Sequence, residues 1–361
     1  MHTKLFTPGP THVRPEILAE MARLPISHRG KDLQALMAEI LPGLRRVFGV
    51  RGELAYKVVL TTSSSTGMME AALVSTVPRG GRVLNLICGG FGERWHDITR
   101  AHSREGVPLR VDWGRALKPE CIELALQQGH YDAVTLVHNE TSTGILNPLR
   151  EIAAVVRRFN DVLLLVDSVS SLGGTPVEVE QNDIDICLAG SQKCLALPPG
   201  LAVGAISSRA LERAKHNPDR GFYLDLITYV AFAENGEAPF TSTSSHLFAL
   251  RRQLQDMEKE SDEARYARHR AMAKHVHVWA ESRFSLFAEE GYRSPTVTVV
   301  EVPQRFNLPG LFAGLEREGF RIAAGYGRLK ERTFRIGHMG DLTVADVREL
   351  MDVIDTLLER L

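Results

Sequence analysis

From residue 56 onward the chain repeats one pattern: a short apolar run, a glycine-rich or polar turn, then a helical segment. The runs 56–61, 83–87, 133–138, 162–166, 185–189 and 203–207 read as strands, and 68–77, 93–102 and 148–159 as helices between them. Strands that are apolar almost throughout, alternating with helices, call for a parallel or mixed sheet covered on both faces. Ligands bind such sheets off the carboxyl ends of the strands. The polar clusters of this chain fall at those ends.

The first of these clusters, Thr61-Thr62-Ser63-Ser64-Ser65-Thr66-Gly67, lies between a strand and a helix. Hydroxyls and free backbone N–H groups at a helix start suit a phosphate; an ordinary Ser/Thr N-cap reads the same way. No GK[ST] follows, so it is not a Walker A loop. In Cys88-Gly89-Gly90-Phe91-Gly92, glycines leave the Phe91 ring open to stack on a flat ligand, or Phe91 is a core aromatic in a turn. His138-Asn139-Glu140-Thr141-Ser142-Thr143-Gly144 is a polar loop after an apolar strand. Asp167 ends a run of five apolar residues, where a carboxylate needs a cation or a strong donor, or caps the next turn.

Lys193 follows the apolar strand 185–189 and the turn Gly190-Ser191-Gln192, and Pro198-Pro199-Gly200 breaks the chain soon after. An amine set among apolar residues loses hydration, its pKa falls, and it becomes a better nucleophile toward a carbonyl. The alternative is a surface lysine in a polar turn. A phosphate cradle, a ring stacker, a buried carboxylate, a polar loop and a desolvated lysine together are what pyridoxal phosphate requires.

These segments, with Phe6-Thr7-Pro8-Gly9-Pro10 and Phe334-Arg335-Ile336-Gly337, resemble the class V aminotransferases of the pyridoxal-phosphate fold-type I superfamily, in particular the alanine/serine–glyoxylate aminotransferase branch. The resemblance runs nearly end to end. It implies the fold-type I architecture, a large mixed-sheet α/β/α domain plus a small C-terminal α+β domain. It also implies a homodimer with shared active sites and pyridoxal 5'-phosphate as cofactor. The implied reaction is ping-pong transfer of the amino group of a small L-amino acid, of alanine, serine or aspartate type, to glyoxylate or pyruvate.

Residue by residue, the resemblance makes Lys193 the Schiff-base lysine and Asp167 the partner of the pyridine nitrogen. Val169 and Phe91 lie on the two ring faces, Ser65, Thr66 and Gly67 cradle the phosphate beside Gln192, and Thr141 sits near the ring hydroxyl. Arg335 grips the substrate carboxylate, a task suited to a planar guanidinium; an edge-strand salt bridge is its other reading. Thr241 or Thr243 reaches the phosphate of the neighbouring subunit. Two departures stand out: Pro239-Phe240 precedes Thr241 with no tyrosine just before, and Ser63 and Ser65 replace glycines common among relatives.

The donor is read from Ser27-His28-Arg29-Gly30-Lys31, which resembles the segment binding the substrate phosphate in phosphoserine aminotransferases; similar loops occur in the glyoxylate branch. Phosphoserine aminotransferase is thus the rival reading for His28 and Arg29, with 2-aminoethylphosphonate transaminase behind it. A cysteine desulfurase is disfavoured because Phe91 and Gln192 stand where that branch usually has histidines. A non-catalytic binding or regulatory protein on this fold is disfavoured by the intact Asp167–Lys193 pair.

Three domains are expected: an extended N-terminal arm over 1–15, a large cofactor-binding domain over 16–262 and a small α+β domain over 263–361. The long helical stretch 247–274 carries the boundary. The net charge of −1 offers no electrostatic case for nucleic acid or an anionic membrane. Four scattered cysteines without a CxxC pair read as reduced thiols of a cytoplasmic protein. No signal-peptide core or membrane-length apolar run is read, and the histidine spacing suggests no metal.

Overall fold

The computed structural model describes residues 3–52 and 54–360. The ends of the expected arm and small domain, residues 1, 2 and 361, lie outside the described residues. Seven strands form the main sheet: β1 Tyr56–Thr61, β2 Arg82–Ile87, β3 Glu105–Arg110, β4 Ala133–Val137, β5 Leu163–Asp167, β6 Ile186–Gly190 and β7 Ala202–Ser207. Their order across the sheet is β1-β7-β6-β5-β4-β2-β3. β7 runs antiparallel to both β1 and β6, and the other pairs are parallel. The sheet is therefore mixed, with the carboxyl ends of β1, β2, β4, β5 and β6 at one edge.

Alternation along each strand divides the core in two. Leu84, Leu86, Val134, Leu136, Leu164 and Val166 face one layer, packed with residues of α1 (Pro15–Met21), α2 (Lys31–Phe48), α5 (Pro119–Gln127), α6 (Leu149–Val156) and α9 (Ser244–Glu260). Val59, Val83, Ala133, Leu163, Leu165, Ile186 and Leu188 face the other, with α3 (Ser65–Thr76), α4 (Gly90–Ala101), α7 (Ser208–Lys215) and α8 (Leu226–Ala233). β3 is absent from the sequence reading for a physical reason. It is an edge strand with Pro108 inside it, and it lacks the continuous apolar run of its neighbours.

A third core gathers Phe6, Met272, Val276, Val300, Leu311, Phe334, Ile336, Leu350 and Ile354 around a four-stranded antiparallel sheet. Its order is β8 (Ser285–Leu286), β9 (Val297–Glu301), β11 (Thr333–Gly337), β10 (Ala323–Ala324). α10 (Asp262–Glu281), α11 (Leu308–Arg317) and α12 (Val344–Leu358) pack with it. The lead-in is extended, yet it is paired: Lys4–Leu5 lies parallel to Phe320–Arg321, and the Gly337 N–H donates to the Phe6 carbonyl at 2.7 Å.

The single long helix expected over 247–274 is instead two. Ser261 breaks it with φ of 67°, and its hydroxyl accepts the Ala264 N–H at 3.2 Å to start α10. Around that break lies a buried charge network. Arg265 is 2 % exposed. It donates to Glu260 at 2.9 Å, to Asp341 at 2.9 Å, and to the carbonyls of Gly173 (3.0 Å) and Cys194 (2.9 Å). Arg14 and Gln253 also donate to Asp341, at 2.6 and 2.9 Å. One guanidinium thus ties α10 to the segment that follows Lys193.

Removing one partner of a buried pair strands the other charge. We expect Arg265→Ala to cost about 3–5 kcal/mol. A shift in the urea midpoint checks this, and in a double-mutant cycle with Asp341→Ala the two losses should not add.

Candidate functional site

The loops after β1, β2, β4, β5 and β6 meet around a cavity of about 340 Å³. Its walls include Ser65, Thr66, Phe91, Thr141, Asp167, Val169, Gln192 and Lys193, together with Gly9, Arg94 and Asn139. Residues that are far apart in sequence converge because each follows a strand whose carboxyl end lies at the same edge.

Lys193 lines this cavity and is 7 % exposed. Its amine donates to the Pro8 carbonyl and stands 5.9 Å from the Phe91 ring centroid. Burial, then the charge of Arg335, pulls its pKa from 10.5 down to about 8, while Asp167 pushes the other way. The lysine chain runs against Gly9, where a Cβ would fall 2.4 Å from its Cδ and Cε; Gly9 also has φ of +100°. A side chain there would displace the lysine.

Asp167 is the last residue of β5, and the Val169 N–H donates to its Oδ1 at 2.8 Å. Burial raises its carboxyl to about 7, the Glu140 charge adds to this, and the Val169 N–H, Lys193 and Arg94 oppose it. Ser65, Thr66 and Gly67 form the first turn of α3, which no side chain caps. The Ser65 hydroxyl is buried without a hydrogen-bond partner. Thr141 shares a 2.5 Å hydrogen bond with Ser170.

Phe91 sits in the first turn of α4, not in a free turn. The Phe91 and Gly92 N–H groups donate to Glu140 at 3.0 and 3.1 Å, and the Gly90 N–H donates to Ser142 at 2.8 Å. Glu140 is fully buried; burial raises its carboxyl, and these donors and the Ser142 hydroxyl pull it back. Gly89 makes the approach possible, since a Cβ there would lie 2.4 Å from the Glu140 Cγ. The polar loop after β4 thereby sets the position of Phe91.

Arg335, on β11, reaches this region from the smaller sheet. Its guanidinium donates to the Ala324 carbonyl at 3.0 Å and the Thr141 carbonyl at 3.4 Å, and lies 5.6 Å from the Tyr326 ring centroid. Burial lowers its pKa to about 10. Among the described residues no carboxylate lies within ion-pair distance of it, so the edge-strand salt bridge is not what occupies it.

Other expected site residues lie outside the cavity walls. His28 and Arg29 sit on the loop before α2, Arg29 exposed. Thr241 is exposed, and Thr243 pairs with His246 at 2.9 Å, whose other nitrogen meets the Pro199 carbonyl at 3.0 Å. Gly67 stands in the turn beside the wall without lining it. Sequence reasoning missed Pro8, Gly9, Arg94, Asn139 and Glu140. Arg94 carried a legible signal, because it follows Phe91 by three residues on one helix face.

The profile of the class-V aminotransferases matches residues 6–243. The chain belongs to that family. It is 40% identical over 365 residues to an uncharacterised aminotransferase of Methanocaldococcus jannaschii, covering 99% of this chain and 93% of that one. A serine–glyoxylate aminotransferase of Methylorubrum extorquens is 32% identical over 352 residues, covering 94% of this chain and 86% of that one. The crystal structure of the ureidoglycine–glyoxylate aminotransferase of Bacillus subtilis superposes with a TM-score of 0.92 at 27% identity, over 100% of this chain and 94% of that one. The protein is an aminotransferase of fold type I, and its cofactor is pyridoxal 5'-phosphate.

The residues present fit that cofactor. An uncapped helix start beside an orphaned buried hydroxyl suits a phosphate. A buried carboxylate without a cation in contact suits a protonated ring nitrogen, and a lysine depressed to about 8 suits an aldehyde.

Asp167 gives a pH signature in the cofactor-free aminotransferase. The native carboxyl keeps its proton to about 7, whereas the unfolded one releases it near 3.8. Its contribution to stability is full below 3.8, falls as pH rises through that window and is gone above about 7. The stability of Asp167→Asn relative to wild type should therefore grow across the window and then level off, as read from urea unfolding at stepped pH.

Proposed function

We propose that this aminotransferase moves the amino group of a small L-amino acid, of alanine, serine or aspartate type, to a 2-oxo acid such as glyoxylate. The observation that carries the reading is Arg335: a half-buried guanidinium held only by carbonyls, close enough to Lys193 to depress its amine. A cation with no carboxylate among the described residues within ion-pair distance is a receptor for a carboxylate, which both substrates possess. Two relatives, the serine– and ureidoglycine–glyoxylate aminotransferases, use glyoxylate by name, which supports the acceptor.

When bound, pyridoxal phosphate supplies an aldehyde to receive the amino group and a ring to take up the electron pair of a broken bond. The remaining tasks belong to the chain. With the cofactor bound, Asp167 would keep the ring nitrogen protonated and Val169 and Phe91 would hold the ring. Ser65, Thr66, Gly67 and Gln192 would hold the phosphate, and Thr141 would serve the ring hydroxyl. Lys193, neutral above about pH 8, takes a proton from the substrate α-carbon and later returns it. Arg335 orients the carboxylate so that the α-proton faces that amine.

The reading also holds 16–262 as the cofactor-binding domain, 263–361 as the smaller one and 1–15 as an arm. It places two subunits together, with Thr241 or Thr243 reaching the partner's phosphate. A cytoplasmic site of action agrees with the free cysteines, and no helix among the described residues is long and apolar enough to cross a membrane.

Lys193→Ala should lose both turnover and the visible absorption of the purified enzyme; normal turnover in that variant would refute the assignment. Arg335→Ala should lower kcat/KM for donor and acceptor alike by roughly ten- to a hundredfold, the worth of a charge-assisted hydrogen bond. The donor is identified by which amino acid bleaches the holoenzyme: alanine, serine, aspartate, phosphoserine or 2-aminoethylphosphonate. Preference for phosphoserine, lost in Arg29→Ala, would replace this reading with the phosphoserine one.

A further inference from the structure

We propose that Arg94 is the cationic member of the phosphate site, completing a cradle that is otherwise built from neutral groups. The proposal rests on the reading of the cavity as a pyridoxal-phosphate site and extends it to a residue outside the set assigned there.

Two cations line the cavity, Lys193 and Arg94. The first is committed to chemistry at the carbonyl. The second donates from Nη1 to the Thr66 hydroxyl at 3.2 Å, at the uncapped start of α3. There the Ser65 hydroxyl, on a residue 7% exposed, lacks any partner. The guanidinium also lies 4.8 Å from the Phe91 ring centroid, and Nη2 donates to the Tyr326 hydroxyl at 3.0 Å. Every partner is neutral, and among the described residues no carboxylate lies within ion-pair distance of Arg94.

A phosphate carries nearly two negative charges, whereas a helix start offers about half a positive one. Ser65, Thr66, Gly67 and Gln192 add donors but no charge. An arginine already bonded to Thr66 closes that deficit, and its planar fork matches phosphate oxygens. Tyr326 and the Phe91 face hold the fork in place at low entropic cost, because the guanidinium is ordered by neutral contacts before any anion arrives. Gly90 makes room for this arrangement: a Cβ there would fall 2.5 Å from the Tyr326 ring.

The test uses holoenzyme freed of its cofactor and titrated by absorbance with pyridoxal phosphate and with pyridoxal, which lacks the phosphate. Arg94→Ala should weaken pyridoxal phosphate on the order of ten- to a hundredfold while leaving pyridoxal unchanged. Arg94→Lys, which keeps the charge, should fall between, and thermal unfolding by circular dichroism shows that each variant folds. Equal losses for both ligands would overturn the proposal, since Arg94 would then only shape the Phe91 wall. So would unchanged cofactor binding with a raised KM for aspartate but not alanine, which would place a substrate side-chain carboxylate on Arg94. Wild type that binds neither ligand would instead refute the cofactor reading beneath it.

Discussion

Strands buried on both faces leave most ionisable side chains nowhere to go but the ends. In this aminotransferase the strands from β4 to β7 are buried at every residue. Six of the strands share one direction because β7 alone reverses, and five of them carry their chemistry into the same cavity. Asp167 at the end of β5 and Lys193 just beyond β6 are neighbours for that reason. Their altered acidity has the same origin, since burial is the largest cause of both shifts. A fold that hides its strands supplies an amine that loses its proton more readily and a carboxyl that keeps its own, with no further device.

Holding such groups still is a separate problem, and the chain solves it with buried polar contacts behind the cavity. Glu140 and Ser142 cap α4 and so set Phe91. Arg265 binds the carbonyl next to Lys193 and joins it to Asp341 and Glu260. These contacts are costly in isolation and stable only when complete. The hydrogen bonds of Arg94 to Tyr326 and of Arg335 to the Thr141 carbonyl likewise join the larger sheet region to the smaller one.

Much of this is legible in the sequence. Continuous apolar runs mark every strand of the seven-stranded sheet but β3, whose proline and exposed edge erase the pattern. Asp167 and Lys193 stood out because a charge beside an apolar run requires an explanation. The helices begin earlier than their apolar periodicity marks, so Ser65 and Phe91 read as turn residues yet occupy first helical turns. The break at Ser261 has no signal, because nothing in the polar stretch around it marks a left-handed residue. The contacts of Pro8 and Gly9 with Lys193 have none either, since no local pattern relates residues so far apart in the chain.

The sequence by itself determined the covered sheet, the ends where polar residues gather, and through Asp167 and Lys193 the kind of cofactor they serve. Those follow from local chemistry: hydrophobic runs must be buried, and charges next to them must have work. Tertiary structure alone decided which distant groups meet. It set Gly9 against the lysine, placed Arg94 on Thr66 and left Arg335 without an acidic partner. Such facts depend on chain crossings and on space, and a one-dimensional pattern records neither.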